Sequence, residues 1–320
     1  KRQVNEFEHE AYKTAIRNFL TAEAPDVAVW FAGNRMKFFV DQNLFQDVSD
    51  VWADAGLNDS MASTKGSLTV DGKQYGVPWG YYQWGVYYRK DLFDQLGLNV
   101  PRDWDEFKWV CAMLKKNGIT PITIGTKFLW TAGGWFDYLN LRINGYQFHM
   151  DLTAGKVSYE DPRLDAVFDH WRELIDPGYF LEDHASFSWQ DAQAPQINGE
   201  AAMYLIGNFY VPTFEAAGIG DQMDFFQFPT IYEGVGVAED APTDTMHIPS
   251  GAKNVEDAKK FLAFMSNKEA ATNWAKMGGM LSPNKYADKP TNRFSIMGAK
   301  MLAAADDIAQ FWDRDANPDM

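Results

Sequence analysis

The fold class follows from one stretch of the sequence, Asp103-Trp-Asp-Glu-Phe-Lys-Trp-Val-Cys-Ala-Met-Leu-Lys-Lys-Asn-Gly-Ile-Thr-Pro-Ile-Thr-Ile-Gly125. Asp103 is suited to cap a helix, and Glu106 stands three residues later, where it can complete a capping box. Gly118 is placed to end this helix. The apolar run 120–125 then predicts a buried strand. A helix followed directly by a buried strand indicates an α/β protein.

The same alternation continues on both sides of this stretch. Ala11, Ile16 and Leu20 share one face of a predicted helix, and Pro25 leads from it into a strand at 27–30. Two further helices are predicted, one opened by Pro162 with an inward face of Leu164, Val167, Phe168, Trp171 and Ile175, and one at 255–266 capped by Asn254. Helices of this length between short apolar strands predict parallel sheets covered by helices on both faces.

Length and charge narrow the class of protein. A chain of 320 residues exceeds the usual size of one hydrophobic core, so two α/β lobes are expected. The formal charge of −15 argues against nucleic acid as a partner, because binding to phosphates requires a basic face. The single cysteine, Cys111, cannot form an internal disulfide, and its position on an apolar helical stripe predicts a packing role.

Four segments combine aromatic and hydrogen-bonding residues just after a predicted strand: Trp30-Phe-Ala-Gly-Asn-Arg35, Trp79-Gly-Tyr-Tyr-Gln-Trp84, Trp130-Thr-Ala-Gly-Gly-Trp-Phe-Asp137 and Ile206-Gly-Asn-Phe-Tyr210. A sugar has an apolar C–H face that lies on an aromatic ring and a rim of hydroxyls that needs polar partners. The segments therefore predict a carbohydrate site. Packing in the core is the alternative for any single tryptophan, and it is the expectation for Trp52 and Trp274.

Catalysis and metal binding have weaker support. The acidic sequence 313–319 resembles a calcium loop but has Pro318 where the turn requires glycine, and the five histidines lack metal-ligand spacing. We therefore expect no metal, no cofactor and no catalytic residue. A glycosidase or lyase remains the alternative function, because it would share the aromatic residues and needs only two carboxylates across a cleft.

The whole chain resembles the family 1 extracellular solute-binding proteins of bacterial ABC importers, the group that includes the maltose-binding protein. The stretches that carry the resemblance are Ala24-Pro-Asp-Val-Ala-Val-Trp30, Asp71-Gly-Lys-Gln-Tyr-Gly-Val-Pro78, Tyr87-Tyr-Arg-Lys-Asp-Leu92, and Asn198-Gly-Glu-Ala-Ala-Met203 with Gly207-Asn-Phe209. The resemblance implies a two-lobed periplasmic-binding-protein fold with a ligand cleft between lobes joined by hinge crossings. It also implies that family members extend beyond both ends of this sequence, so that part of a binding site lies outside it.

The resemblance also implies roles for individual residues. Trp30 corresponds to a stacking tryptophan of the first lobe, Asn34 and Arg35 to hydroxyl-binding groups, and Phe209 to a platform of the second lobe. Trp135 is the expected principal platform of that lobe, because Gly133 and Gly134 would let a ligand approach the backbone. The expected ligand-binding set is Trp30, Asn34, Arg35, Tyr82, Gln83, Trp84, Trp135, Asp137, Asn208 and Phe209.

These observations predict the sugar-binding subunit of an ABC importer, which captures a mono- or oligosaccharide by lobe closure and delivers it to the membrane permease. The expected lobes are 1–82 with 247–298, and 83–246 with 299–320, with crossings near Tyr82, Thr245 and Met297. We expect a monomer whose partners are a carbohydrate and the transmembrane permease subunits. The expected location is the periplasm, or the cell surface as an anchored lipoprotein in a Gram-positive organism.

Overall fold

The computed structural model describes residues 3–316 of the chain. The helices are α1 (His9–Thr21), α2 (Asn34–Asp41), α3 (Ser49–Asp54), α4 (Leu57–Ser60), α5 (Lys90–Leu96), α6 (Trp104–Lys116), α7 (Trp130–Ile143), α8 (Gly145–Thr153), α9 (Arg163–Ile175), α10 (Gln193–Ile197), α11 (Val211–Ala216), α12 (Val255–Met265), α13 (Lys268–Gly278), α14 (Arg293–Ala304) and α15 (Trp312–Asp315). The strands are β1 (Ala28–Phe31), β2 (Thr69–Val70), β3 (Lys73–Gln74), β4 (Val77–Tyr81), β5 (Trp84–Arg89), β6 (Thr120–Ile122), β7 (Ala201–Gly207), β8 (Met223–Phe226), β9 (Ala238–Asp240), β10 (Thr243–His247) and β11 (Asp307–Ala309).

The chain divides into two compact units. The first unit contains Lys1–Gly80, Thr243–Thr272 and Ser282–Ala287, and the second contains Tyr81–Pro242, Asn273–Leu281 and Asp288–Met320. The observed boundaries shift by a few residues at 81–82 and 243–246, and they differ more at 273–281 and 288–298, which belong with the second unit and not with the first as predicted. Phe294 of α14 gives the physical reason, because it packs edge-on against Phe214 with ring centroids 5.0 Å apart.

The first unit is built around a three-stranded sheet in the order β1-β10-β4. β1 runs antiparallel to β10, with Trp30 opposite Thr245. The core contains Leu20 of α1, Trp52 of α3 and Leu262 of α12. The Trp52 indole N–H donates to the Gly76 carbonyl at 2.8 Å, which satisfies its polar atom in the core. Trp52 is therefore a packing residue, as the sequence predicts.

The second unit contains a four-stranded sheet in the order β6-β7-β5-β8. β7 is parallel to β6, whereas β5 is antiparallel to both β7 and β8. The predicted all-parallel arrangement is therefore wrong, although the helices and buried strands confirm the α/β class. All seven residues of β7 are buried. Burial on both faces makes a strand uniformly apolar whatever its direction, and the direction depends on the connections.

The helix that decided the fold class begins and ends close to the predicted positions. Asp103 accepts a hydrogen bond from the Glu106 backbone N–H at 2.9 Å, and Gly118 adopts φ = +76° after the last turn. The Glu106 carboxylate accepts from the backbone N–H of Arg102 at 2.8 Å, one residue before the cap, so the expected capping box is shifted. Cys111 is fully buried on this helix.

The inward face predicted for α9 is only partly buried. Leu164 and Val167 lie in the core, whereas Phe168 and Ile175 expose 44% and 50% of their surface. The helical spacing predicted the correct buried side of α9. The apolar face of the helix is wider, however, than the part that the rest of the protein covers. Among the helices of the described chain, none has the length and hydropathy that a membrane crossing requires.

Candidate functional site

The candidate residues of the first unit surround the end of β1. Gly33 turns the chain with φ = +71°, a conformation that favours glycine, and its N–H donates to the Ser67 carbonyl at 2.9 Å. α2 begins at the next residue, so Asn34 and Arg35 are half-buried on its first turn. The local sequence therefore places the amide and the guanidinium together at one edge of the unit.

Trp30 does not offer an open ring face. It exposes 7% of its surface, its indole N–H donates to the Arg35 carbonyl at 3.2 Å, and it packs against Phe39 with centroids 5.4 Å apart. The Arg35 guanidinium carbon lies 5.4 Å from the ring centroids of both Trp30 and Phe31. This geometry does not fit the stacking role implied for Trp30. The contact with Arg35 also involves Phe31, a half-buried residue that was not among the site residues predicted from the sequence.

The second unit contains six aromatic side chains in mutual contact, here called the aromatic cluster: Tyr82, Trp84, Trp130, Trp189, Phe209 and Phe311. Phe209 is central to it, with centroid distances of 5.1 Å to Tyr82, 5.1 Å to Trp189 and 6.3 Å to Trp130. Tyr82, Trp84 and Phe311 are buried, whereas Trp130, Trp189 and Phe209 are half-buried. The last three rings therefore form the part of the cluster that another molecule can reach.

Two glycines allow the rings of the cluster to lie close to the backbone. A Cβ atom at Gly207, the last residue of β7, would lie 2.9 Å from Cδ2 of Tyr82 and still closer to the Phe209 ring. A Cβ at Gly134 would lie 2.7 Å from Cζ3 of Trp84. The space beside Gly134 is therefore filled by Trp84 and does not admit a ligand, contrary to the prediction.

Trp130 is held by a strained turn. Leu129 has φ = +59° and ψ = −29°, and the Trp130 N–H donates to the Phe128 carbonyl at 2.6 Å across it. A leucine in the left-handed region is uncommon and costs conformational energy. Trp130 lies in one of the four aromatic segments but was not among the predicted ligand-binding residues, and Trp189 was not predicted at all. No local sequence pattern shows that these rings meet Phe209.

Trp135 and Asp137 lie in the interior of the second unit. Trp135 exposes 1% of its surface and packs edge-on against Phe180 and Phe228 with centroids 5.1 and 5.7 Å away. Trp135 is therefore a core residue in this structure and not a platform. Asp137 is fully buried and accepts a hydrogen bond from the Trp312 backbone N–H at 2.6 Å. Burial and the neighbouring Asp240 raise the pKa of Asp137 well above its usual value.

Gln83 and Asn208 are also fully buried, but they lie beside the aromatic cluster in the chain. The Asn208 backbone N–H donates to the Gln83 carbonyl at 3.1 Å. The side-chain amide of Asn208, the amide oxygen of Gln83 and the indole nitrogens of Trp84 and Trp189 have no hydrogen-bond partner among the described residues. Buried polar atoms of this kind are uncommon in folded proteins, and each needs an explanation.

The acidic sequence 313–319, which resembles a calcium loop, does not form such a loop within the described residues. Asp313 and Asp315 belong to α15, and the later residues Pro318 and Asp319 lie outside the described part of the chain. Across residues 3–316, no three His, Cys, Asp or Glu side chains are placed so that they could hold a metal ion.

Comparison with known proteins identifies the family. Residues 3–272 match the family model described as bacterial extracellular solute-binding protein. The chain belongs to this family. The match confirms the resemblance drawn from the sequence, and the members of the family are binding components of transporters and not enzymes.

Two relatives known from sequence match a large part of this chain. An uncharacterized ABC transporter extracellular-binding protein of Pyrococcus horikoshii is 27% identical over 84% of this chain and 60% of the relative. The multiple sugar-binding protein of Streptococcus mutans is 25% identical over 66% of this chain and 51% of the relative. The chain thus spans between about half and three-fifths of these relatives.

A solved structure gives a longer match. The bacterial solute receptor AcbH, described as having an exclusive substrate preference for β-D-galactopyranose, is 34% identical with a TM-score of 0.93. The match covers 99% of this chain and 82% of AcbH. At this similarity the two proteins share their fold over nearly the whole of this chain, which confirms the two-lobed fold of this family as the class of this protein.

Proposed function

We propose that this protein is the sugar-binding component of an ABC importer and that its aromatic cluster contacts the sugar. The observation that carries the proposal is the position of three half-buried rings, Trp130, Trp189 and Phe209, next to buried polar atoms that have no hydrogen-bond partner within residues 3–316. Flat apolar rings suit the C–H face of a pyranose, and free donors and acceptors suit its hydroxyls. The family match supports binding without chemical conversion.

The proposed ligand class is a hexopyranose. AcbH prefers β-D-galactopyranose and is the relative whose identity to this chain is highest among those described above. The proposal extends only to the class, because one hydroxyl of different configuration changes which polar atoms of a site are satisfied. Asn34 and Arg35 in the first unit are the proposed hydroxyl partners on that side, since a guanidinium supplies several donors in a fixed geometry.

The remaining features of the import function are part of the same proposal. The two units act as the two lobes, and they close over the sugar because the closed state binds it more tightly. The closed form then delivers the sugar to the transmembrane permease subunits. We propose a monomer that works outside the cytoplasmic membrane, either in the periplasm or anchored at the cell surface as a lipoprotein.

The test is a thermal-shift screen with monosaccharides and oligosaccharides, followed by calorimetric titration of each sugar that stabilises the protein. A ligand at about 100 times its dissociation constant adds about 2.7 kcal/mol of stability, which such a screen detects. We expect D-galactose or a related hexose to bind and to be recovered unchanged. Shortened or modified products would contradict the proposal and support the glycosidase or lyase alternative.

Two variants locate the site. Phe209→Ala removes the central ring of the cluster, and we expect it to weaken sugar binding at least tenfold. Trp109→Ala is the matched control, because Trp109 exposes 55% of its surface on α6 and lies outside the cluster. Equal affinities of the Phe209→Ala variant and the wild type would show that the cluster is not the sugar site.

A further inference from the structure

The last described part of the chain, residues 306–316, packs against the rest of the second unit and is here called the C-terminal segment. β11 pairs parallel with β9, and the Ala241 N–H donates to the Ala309 carbonyl at 2.8 Å. The Trp312 backbone N–H donates to Oδ2 of Asp137 at 2.6 Å. Its indole N–H donates to the Tyr159 hydroxyl at 2.8 Å.

This segment supplies part of the aromatic cluster. Phe311 stacks on Trp84 with centroids 4.8 Å apart and planes 21° apart. Arg314 donates from Nη2 to the Tyr82 hydroxyl at 2.7 Å. Phe311 reaches its position with φ = +150°, which is a strained value for a residue with a side chain. Detachment of the segment would therefore remove one ring from the cluster and release another.

The attachment contains two buried carboxyl groups, and three of their four side-chain oxygens have no hydrogen-bond partner among the described residues. Asp137 of α7 and Asp240 of β9 are both fully buried. Oδ1 of Asp137 and both side-chain oxygens of Asp240 have no hydrogen-bond partner among the described residues. A buried ionised carboxylate without a partner is strongly unfavourable.

The charged neighbours do not compensate these two carboxyls. The Arg142 guanidinium forms an ion pair with Glu239, and the Glu239 carboxylate also accepts a hydrogen bond from the Tyr138 hydroxyl at 2.9 Å. His149 Nδ1 accepts from the Asn140 amide, so its Nε2 carries the proton, and that atom is 3.8 Å from Oδ1 of Asp137. Burial lowers the pKa of His149 to about 4, so the ring is neutral near pH 7.

Among the titratable and charged groups around the pair, carboxyl groups outnumber cations. The groups from the elements packed against it are Tyr138 and Arg142 of α7, Tyr146 and His149 of α8, Tyr159, Glu239 of β9, Asp307 of β11, and Asp313, Arg314 and Asp315 of α15. Arg142 and Arg314 are the cations of this set, and its carboxyl groups outnumber them. The described residues place no metal-binding group there.

We propose that Asp137 and Asp240 form a protonated carboxyl pair that anchors the C-terminal segment, so that deprotonation of the pair weakens the attachment of Phe311 and Arg314. Asp137 is then a positioning residue for the aromatic cluster and not a sugar ligand. The anchor itself does not depend on the proposed function. Its effect on sugar affinity does.

The direction of the pH dependence follows from the acidity of the pair. Burial, with the charges of nearby carboxylates, raises the pKa of both groups well above the ordinary value, and it raises the pKa of Asp315 to about 6. A group whose folded-state pKa is raised contributes stability at low pH, and this contribution is lost as the pH rises through the folded pKa. The segment should therefore be held most firmly in mild acid.

The test is hydrogen exchange of the amides of 306–316 in the intact protein, between about pH 5 and pH 8, corrected for the intrinsic effect of pH on exchange. In the wild type we expect their protection to fall by up to about tenfold per pH unit for each titrating carboxyl group as the pH rises towards its folded-state pKa, and to level off above that pKa. Asp240→Asn keeps the shape of the side chain but cannot ionise, so protection should fall less steeply with pH than in the wild type, because only Asp137 of the pair still titrates. Asp105→Asn is the control, because the Asp105 side chain is 90% exposed.

Wild-type protection that does not change with pH would overturn the proposal, as would an Asp240→Asn variant that keeps the wild-type profile. If the variant does not fold, the infrared C=O band of a protonated carboxyl group in the wild type at pH 7 decides the question, and its absence overturns the proposal. Galactose affinity, measured at the two ends of this pH range, tests separately whether the anchor affects sugar binding. If no sugar binds, the proposed function fails, while the exchange experiment still decides the anchor.

Discussion

Replacement of Trp135 by alanine separates a core residue from a sugar platform. The ring is enclosed by Phe107, Phe180 and Phe228, and it exposes 1% of its surface. Truncation of a buried tryptophan leaves a cavity and costs about 3–5 kcal/mol of folding free energy. Loss of its two edge-on contacts places the expected value near the upper end, at about 4–5 kcal/mol. This is a large part of a total stability of about 5–15 kcal/mol.

The assay is urea unfolding of the ligand-free variant followed by circular dichroism, with Trp109→Ala as the exposed control. The control should change stability by no more than about 0.5 kcal/mol. The folded fraction of Trp135→Ala should bind sugar with an affinity close to that of the wild type, since the ring does not contact the proposed site. A variant of wild-type stability that has lost binding would refute the core assignment and restore the platform role.

Three further predictions concern single positions. Gly207→Ala should displace Phe209 and Tyr82 and weaken sugar binding by about tenfold or more in calorimetric titration, whereas Gly66→Ala, where a Cβ meets nothing within 4 Å and φ is not positive, should not. Leu129→Gly should relieve the strained turn and leave stability unchanged or raised by about 1 kcal/mol in urea unfolding, yet weaken binding because Trp130 is held less rigidly; lower stability would contradict this reasoning. Burial lowers the pKa of His247 to about 4 from its ordinary value near 6.5, so the stability that depends on its neutral form should be lost as pH falls from about 6.5 to 4, by up to about 3 kcal/mol, and unfolding of His247→Gln should lack this component.

The helix 104–116 and strand β7 show why much of the fold was predictable. Asp103 and Gly118 act locally, through backbone groups at the two ends of one helix, so their effect does not require the rest of the chain. The uniformly apolar sequence of β7 likewise reports that both of its faces are covered. The direction of its neighbours was not predictable, because β5 and β8 reach the same sheet through connections that leave no local pattern.

The candidate site shows the same difference between features that the local sequence sets and features that depend on distant parts of the chain. The pattern around Trp84 and Phe209 correctly indicated aromatic residues after strands, and both belong to the cluster. Trp135 has the same kind of local sequence but faces the core, since the rings that enclose it come from distant parts of the chain. Trp189 was missed for the opposite reason, because it meets Phe209 only after folding brings two separate loops together.

The sequence by itself determined the α/β class, the positions of the main helices and buried strands, and the membership of a solute-binding family, because caps, hydrophobic periodicity and family motifs are local properties of the chain. Only the tertiary structure decided which aromatic rings remain accessible, that Asp137 is buried beside Asp240, and that Phe311 completes the cluster. Accessibility and pKa depend on what surrounds a side chain, and those surroundings are supplied by residues far away in the sequence.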